Sequence, residues 1–414
     1  MKIVLVRPPF MNIKKGPPIG LAYLSNVLKN AGHEVNIFDI NIFINKKYRN
    51  IGNYTRNFVL PESHKAVIFA YRKIDDYCTK ILALAPDLVG FSLSYPTFQY
   101  GIELAKRLSK HVRCIAGGPQ ATFNEESLLG LGCFDTVVSG YGEEAVLDAL
   151  TKNGIISKEL DRSKDYQPDY IDLPLNHYKG VLPVITSRGC PNRCHFCTQH
   201  LPLFFHSLDS IIDRIKKNPK IREIIYNDSN INISPKRTEY FFTELAKLKK
   251  PPPGHVFGLE VKKGFERYIS KMSEAGIKIV RVGIESGAIR ERNSMNKKFF
   301  DNDLVIAFIK ELSDHKITTW AQYIFCYPDQ TEEDRQETLA LMAGINRSCK
   351  SAFIKHFWYR FVVHHGTEKL FQKKYGVIYS SPLNWKNGLY TTEKIEKLAE
   401  KYRLLIPINA RIFL

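Results

Sequence analysis

Two series of short apolar runs, each run followed by a turn and then by residues at helical spacing, constrain this chain more than any other feature of it. In the first series, residues 2–6, 35–38, 87–92, 113–116 and 136–138 read as buried strands. Between the first two, Ile19, Leu21, Leu24 and Leu28 recur at helical spacing and Gly32 ends the helix; another helix is expected over 99–110. This alternation predicts an α/β fold, with a Rossmann-like (flavodoxin-like) parallel sheet over residues 1–150. Residues 161–179 are polar, Pro-punctuated and aperiodic, so a linker is expected over 151–180. Strands at 182–186, 223–226, 256–259, 279–284, 318–325 and 353–362 then predict a partial (β/α) TIM-type barrel over 181–370. Residues 371–414 are too few for a core of their own and should pack on the barrel as an extension.

No apolar run reaches the roughly 18 to 20 residues needed to span a bilayer, and the first residues lack the apolar core and cleavage site of a signal peptide. A cytoplasmic chain with no membrane partner is expected. Eight cysteines, three of them within residues 190–197, do not make a secreted disulfide scaffold. The net charge of +18 invites a nucleic-acid reading, yet residues 1–150 carry only 17 basic against 13 acidic residues. Residues 345–414 hold 13 against four, so the excess is late in the chain. No nucleic-acid module accompanies it, which leaves a solvated surface, or attraction for an anionic substrate, as the readings.

Each strand of the first series ends in small or turn-forming residues: Ser92-Leu93-Ser94, Gly117-Gly118-Pro119 and Ser139-Gly140-Tyr141-Gly142. Ligands of open α/β sheets bind at these carboxyl ends, where glycine lets them approach the backbone; tight turns alone are the alternative. The second series opens differently. Directly after its first strand comes Ser187-Arg188-Gly189-Cys190-Pro191-Asn192-Arg193-Cys194-His195-Phe196-Cys197. Thiolates are the usual ligands of iron-sulfur clusters, and three of them on a 4Fe-4S cluster leave one iron open. A zinc site completed by His195, His200 or His206 is the competing reading, but no second CxxC exists to pair with the first.

The CxxxCxxC loop after a barrel's first strand, with Phe196 before the last cysteine, closely resembles the radical S-adenosylmethionine (SAM) superfamily. Later segments resemble it in order. Ile225-Tyr226-Asn227-Asp228-Ser229 stands where the family contacts the SAM amino group, which implies Asn227 and Asp228 as cofactor contacts. Val282-Gly283-Ile284-Glu285-Ser286-Gly287 resembles a segment near the SAM ribose, which implies Glu285 and Ser286. Tyr323 to Thr331 resembles the fifth-strand FxxGxPxET segment, with Cys326 in place of glycine and Gln330 in place of glutamate.

Ahead of these, an N-terminal Pro-Pro loop, Val89-Gly90-Phe91-Ser92, Gly117 to Thr122 and Ser139 to Glu144 resemble the cobalamin-binding domain of one large radical SAM class. The resemblance spans roughly residues 1–370 and implies Ser92, Ser94, Gly117, Gly118, Gln120, Thr122, Gly140, Gly142 and Glu143 as cobalamin contacts. No histidine has Asp two residues before it, so the DxHxxG motif that supplies a histidine to cobalt is absent.

By this resemblance the cofactors are a 4Fe-4S cluster on Cys190, Cys194 and Cys197, S-adenosylmethionine on the open iron, and cobalamin. The implied activity is methyl transfer to an unactivated carbon of a small-molecule or peptide substrate: a 5′-deoxyadenosyl radical removes a hydrogen and methylcobalamin gives the methyl group. Rearrangement or cyclisation without methyl transfer uses the same parts, and a non-catalytic cobalamin sensor would not need the cysteines. The implied electron donor is a flavodoxin or ferredoxin. Trp320, Trp358, Tyr359, His364 and His365 lie where substrate contact is allowed, although core packing is the commoner use of aromatic residues there.

Overall fold

The structure is a computed structural model that describes residues 1–9, 16–43, 71–94, 97–170, 178–199, 201–218, 220–297, 300–361, 363, 367–376, 392–406 and 409–413. Most of the expected loop between Pro8 and Pro18, and His64, His200, His364 and His365, lie outside the described residues. By contacts the chain divides into two compact units, one ending at Pro183 and the next beginning at Val184.

Six strands form the sheet of the first unit: β1 (Lys2–Arg7), β2 (Glu34–Asp39), β3 (Leu88–Ser92), β4 (Arg113–Gly117), β5 (Thr136–Ser139) and β6 (Gly154–Ser157). All pairs run parallel, in the order β2-β1-β3-β4-β5-β6. Alternate side chains along each strand enter different cores, as a sheet covered on both faces requires. Val4, Val6, Val89, Phe91, Ala116 and Val137 join the cluster under the helices Ile74–Leu82 and Phe98–Leu108. Ile3, Leu5, Leu88, Ile115 and Val138 join the one under Ile19–Asn30 and Ala145–Ala149. The strand order reverses between β1 and β3, which is where ligands of such sheets bind.

The sheet runs past the boundary expected at residue 150, because β6 pairs with β5 from Thr136↔Gly154 to Ser139↔Ser157. The polar stretch beyond it is pinned rather than loose. Asn26 donates to the carbonyl of Gln167, Lys29 pairs with Asp169 at 2.8 Å, and the Tyr178 hydroxyl donates to buried Asp39 at 2.6 Å.

The second sheet has the order β15-β14-β13-β12-β11-β10-β7. Its strands are β7 (Val181–Val184), β10 (Glu223–Tyr226), β11 (Gly254–Leu259), β12 (Ile277–Glu285), β13 (Thr318–Phe325), β14 (Ile354–Arg360) and β15 (Ala410–Phe413). A two-residue hairpin, β8 (Ser187–Arg188) with β9 (Phe204–Phe205), brackets the cysteine loop. Pairs from β10 to β15 are parallel, so this is an open barrel, and the extension adds its last strand.

Helices cover one face of it. Tyr226 packs on Phe241 and Phe242, His356 on Asn346, and Trp358 on Tyr402. Ala321, Tyr323 and Phe325 of β13 are fully buried on that side, while Trp320, Gln322 and Ile324, on the other, are part-exposed. Among the described residues no helix is long and apolar enough to cross a membrane.

Candidate functional site

The cysteine loop is set by a turn that Asp228 holds. This carboxylate is buried at the end of β10 and accepts from the Thr186 and Ser187 backbone N–H groups and from both hydroxyls, at 2.6 to 3.1 Å. The resemblance made Asp228 a cofactor contact; its oxygens are instead committed to the strand-to-loop turn, since donors two elements away in sequence stand beside it. Asn227 donates its backbone N–H to Val184 and keeps a half-buried side chain. Gly189 has φ +71°, and a Cβ there would lie 2.4 Å from the Leu201 carbonyl, so the loop closes only with glycine.

Cys194 is buried and Cys190 and Cys197 are half-buried, each close enough to affect the others' charge. Burial pushes the Cys194 thiol up to about 12 and raises Cys197 too, so the thiolate forms require a cation, which iron supplies. The Gln199 N–H points at Cys197 Sγ at 3.4 Å, the kind of contact that tunes a cluster sulfur. Among the described residues no three His, Cys, Asp or Glu side chains converge on a point that one metal ion could fill. A cluster, whose irons each take one thiolate, does not need that convergence. His195 is turned away, with Nδ1 donating to the Ser294 carbonyl at 2.9 Å, and His206 Nε2 accepts from Arg188 at 3.1 Å.

Three charged groups stand beside the loop; the segment Val282 to Gly287 marked Glu285, while Glu260 and Lys297 carry no motif. Glu260, just past β11, is buried; its oxygens accept from Asn192 of the cysteine loop at 2.7 Å and from Asn230 at 2.8 Å. Glu285 ends β12 with φ +70° after a register shift, which folds its carboxylate over Gly283. Lys297 reaches Glu285 Oε1 at 3.4 Å. Burial opposes the charge on Lys297, but Glu285, Cys194 and Glu260 together hold its pKa above the ordinary value; burial raises Glu285, with Lys297 opposing. An ammonium and two carboxylates thus stand beside the thiols, Lys297 paired with Glu285, and Glu260 with Asn192, Asn230 and Lys262. Lys297 lies 37 residues beyond Glu260, and only the barrel's strand order brings the two together.

Ser286 is fully buried, with Oγ 3.2 Å from the Thr338 hydroxyl and accepting from Ala288 N–H, so it shapes the turn after β12. The departures in the fifth-strand segment have structural reasons. Cys326 adopts φ +61°, the left-handed backbone that glycine usually supplies. Gln330 accepts from the Cys326 N–H and donates to Glu291, both at 2.9 Å. Burial pushes Glu291 up to about 8, and a second carboxyl at position 330 would lack the donor that meets it. Trp358 is core, its indole donating to Ile324 at 2.7 Å.

In the first unit the loops past β3, β4 and β5 are stitched by backbone. Leu93 N–H donates to Gly117 and Gln120 N–H to Leu93, and Gly140 N–H donates to the Thr122 hydroxyl at 3.0 Å. Gly118 has φ +92° and sits so close that a Cβ would lie 2.8 Å from the Leu93 carbonyl. Gln120 is buried with its amide oxygen accepting from Asn124, Glu143 is buried, and Ser94 bonds Thr97. Gly117 and Gly142 flank this edge at strand and turn, and Ser92 ends β3. His33 and His111 sit before β2 and β4, at the opposite end of the strands.

Residues 184–342 match the model of the radical SAM superfamily, and residues 59–150 match that of the B12 binding domain. An uncharacterized methyltransferase, PH0819, of Pyrococcus horikoshii is 26% identical over 82% of this chain and 77% of its own length. The anaerobic magnesium-protoporphyrin IX monomethyl ester cyclase of Rubrivivax gelatinosus is 24% identical over 80% of this chain, which spans only 62% of that enzyme. Among solved structures, the radical SAM methyltransferase TsrM of Kitasatospora setae superposes with TM-score 0.66 at 14% identity, over 86% of this chain and 72% of that one. The cobalamin-dependent SAM radical enzyme OxsB superposes with TM-score 0.65 at 15% identity, over 82% of this chain and 51% of that one. With a 4Fe-4S cluster and SAM implied by the second domain and cobalamin by the first, the chain belongs to the cobalamin-dependent radical SAM enzymes.

Proposed function

We propose that this enzyme methylates an unactivated carbon of a small-molecule or peptide substrate. The reading is carried by the cysteine loop edged by Lys297, Glu260 and Glu285, a site fitted to SAM on a cluster rather than to a structural metal. When bound, the cluster and SAM supply a radical able to remove an inert hydrogen, and methylcobalamin supplies the methyl group. Lys297 faces the SAM carboxylate, Asn227 and Glu260 the amino group, and Glu285 the ribose side. Cobalamin is held at Ser92 to Ser94, Gly117 to Thr122 and Gly140 to Glu143, with Gly117, Gly118, Gln120, Thr122, Gly142 and Glu143 shaping the edge. A flavodoxin or ferredoxin delivers the electron, and an oxygen-sensitive cluster suits a reducing cytoplasm.

Because one relative is named a cyclase, radical ring formation without methyl transfer is the second reading. The test is anaerobic incubation of the cobalamin-loaded protein with SAM, reductant and candidate metabolites. Formation of 5′-deoxyadenosine with S-adenosylhomocysteine supports methyl transfer. Deoxyadenosine alone with a cyclised product supports the second reading, and neither product refutes both.

A further inference from the structure

Between the turns that end β12 and β13 sits a carboxyl group that the cofactor chemistry does not use. Glu291, on the helix Ile289–Ser294, is fully buried. Its Oε1 accepts from the Gln330 amide at 2.9 Å, and Gln330 cannot turn over, because its oxygen takes the Cys326 N–H. Oε2 is shielded from solvent and meets no hydrogen-bond donor among the described residues. The Ser286 hydroxyl stands beside the carboxyl, but its proton is committed elsewhere. Thr338 spends its own hydroxyl proton on the Asp334 carbonyl at 2.8 Å and accepts from the Gly287 N–H at 2.9 Å. The 3.2 Å contact between the two hydroxyls therefore takes the Ser286 proton. Ser286 Oγ also accepts from the Ala288 N–H, and what it offers Glu291 is a lone pair.

The charges around Glu291 do not favour an anion. Asp329 of the loop after β13 and Asp334 of the helix Glu332–Ser348 both oppose a negative charge there. Arg290, on Glu291's own helix, is half exposed and paired with Asp334. Arg335 lies beyond Gln330, bonded to Glu332 and to the Tyr402 hydroxyl. Burial keeps Cys326 and Tyr327 neutral, the thiol pushed up to about 12. Burial first, then Asp334 and Asp329, push Glu291 up to about 8 against its contacts with Ser286 and Gln330. We propose that Glu291 is a positioning residue that works as a hydrogen-bond donor: its O–H reaches Ser286 while its carbonyl oxygen takes the Gln330 amide, so one neutral acid joins the turn after β12 to the turn after β13. Protons then run one way, from Glu291 through Ser286 and Thr338 to the Asp334 carbonyl. An ionised Glu291 would set a carboxylate against a lone pair and release the first turn. The inference rests on the reading that SAM lies against these two turns.

The test is infrared difference spectroscopy and SAM titration of the anaerobic holoenzyme and its Glu291→Gln variant. Subtracting the variant should leave the carbonyl stretch of a protonated acid at about pH 7, replaced by carboxylate bands by about pH 9. Glutamine supplies the same donor and acceptor without titrating. Glu291→Gln should therefore bind SAM within about twofold of the unsubstituted protein at about pH 6.5, and about tenfold more tightly than it at about pH 9. Comparing the two proteins at each pH cancels the titration of SAM's own amino group. Glu291→Met, of similar length but without a donor, should lose about fivefold in SAM affinity at about pH 6.5, and it isolates the same infrared band if the glutamine variant fails to fold. An acid band absent at about pH 7, or a ratio of affinities that stays flat with pH, would overturn the inference. Unsubstituted protein that binds no SAM would overturn the SAM reading and this inference with it, whereas a missing acid band in protein that binds SAM counts against Glu291 alone.

Discussion

Among the described residues, helices cover both faces of the N-terminal sheet but one face of the barrel sheet, whose other face carries charged and aromatic side chains. In the first, the loops past β3, β4 and β5 bond largely through backbone, at Leu93, Gly117, Gln120 and Gly140, and the ion pair at this edge, Arg7 with buried Asp39, ends β1 and β2 rather than these loops. In the second, the site is made of titratable side chains taken out of water, namely Glu260, Glu285 and Lys297 beside the cysteines. A backbone edge fixes shape and holds a large cofactor by many small contacts. Buried charge fixes an orientation but leaves a costly group behind when its partner is lost.

That contrast predicts unequal losses. Changing Cys190, Cys194 and Cys197 together to Ala should abolish the cluster's visible absorbance and all deoxyadenosine formation while cobalamin binding persists; loss of cobalamin as well would break the comparison. Lys297→Met should weaken SAM binding by about two orders of magnitude, about 2.7 kcal/mol, with cobalamin affinity unchanged. Calorimetry with both cofactors reads this, and parallel losses would mean that the site is not confined to the barrel.

Acid sharpens the comparison. His356 is buried in the barrel layer and burial pushes its pKa down to about 4, below the roughly 6.5 of an unfolded histidine. The unfolded chain therefore takes up the proton first. Barrel stability should fall as pH drops from about 6.5 to about 4 and level off below, by about 3 kcal/mol at most. His33 and His111, the described histidines of the first unit, are not buried. Urea melts at two pH values, with His356→Asn as control, measure it; an unchanged slope in the variant would assign the effect elsewhere. A smaller effect follows in the other unit, where Gly118→Ala forces a side chain into φ +92° and should cost about 2 kcal/mol. It should lower cobalamin affinity and spare the cluster.

The smallest expected effect is none. Both described histidines of the first unit lie at the wrong end of the strands, so no histidine splitting should appear on bound cob(II)alamin in paramagnetic resonance. A nitrogen triplet from histidine would show that a ligand comes from elsewhere.

How far the sequence could be read follows the same division. The cysteine loop, the strands and the glycine turns are local, so spacing and apolar runs show them. β6 and β15 are short edge strands without a full apolar run, and pairing rather than pattern makes them. Glu260 and Lys297 carry no motif of their own, since their meaning comes from strand order. Asp228 sits at the expected strand end, yet only the folded turn reveals that Thr186 and Ser187 claim it. The polar stretch after residue 160 has a linker's composition, and its partners on the helix Ile19–Asn30 are more than 130 residues away.

The central claim is that three cysteines hold a cluster with one iron left for SAM. Mössbauer spectroscopy of the protein reconstituted with iron-57 tests it most directly. The spectrum should be that of a 4Fe-4S cluster, and adding SAM should shift one iron in four to the parameters of a site with nitrogen and oxygen ligands. A mononuclear signal, or a cluster whose four irons ignore SAM, would contradict the account.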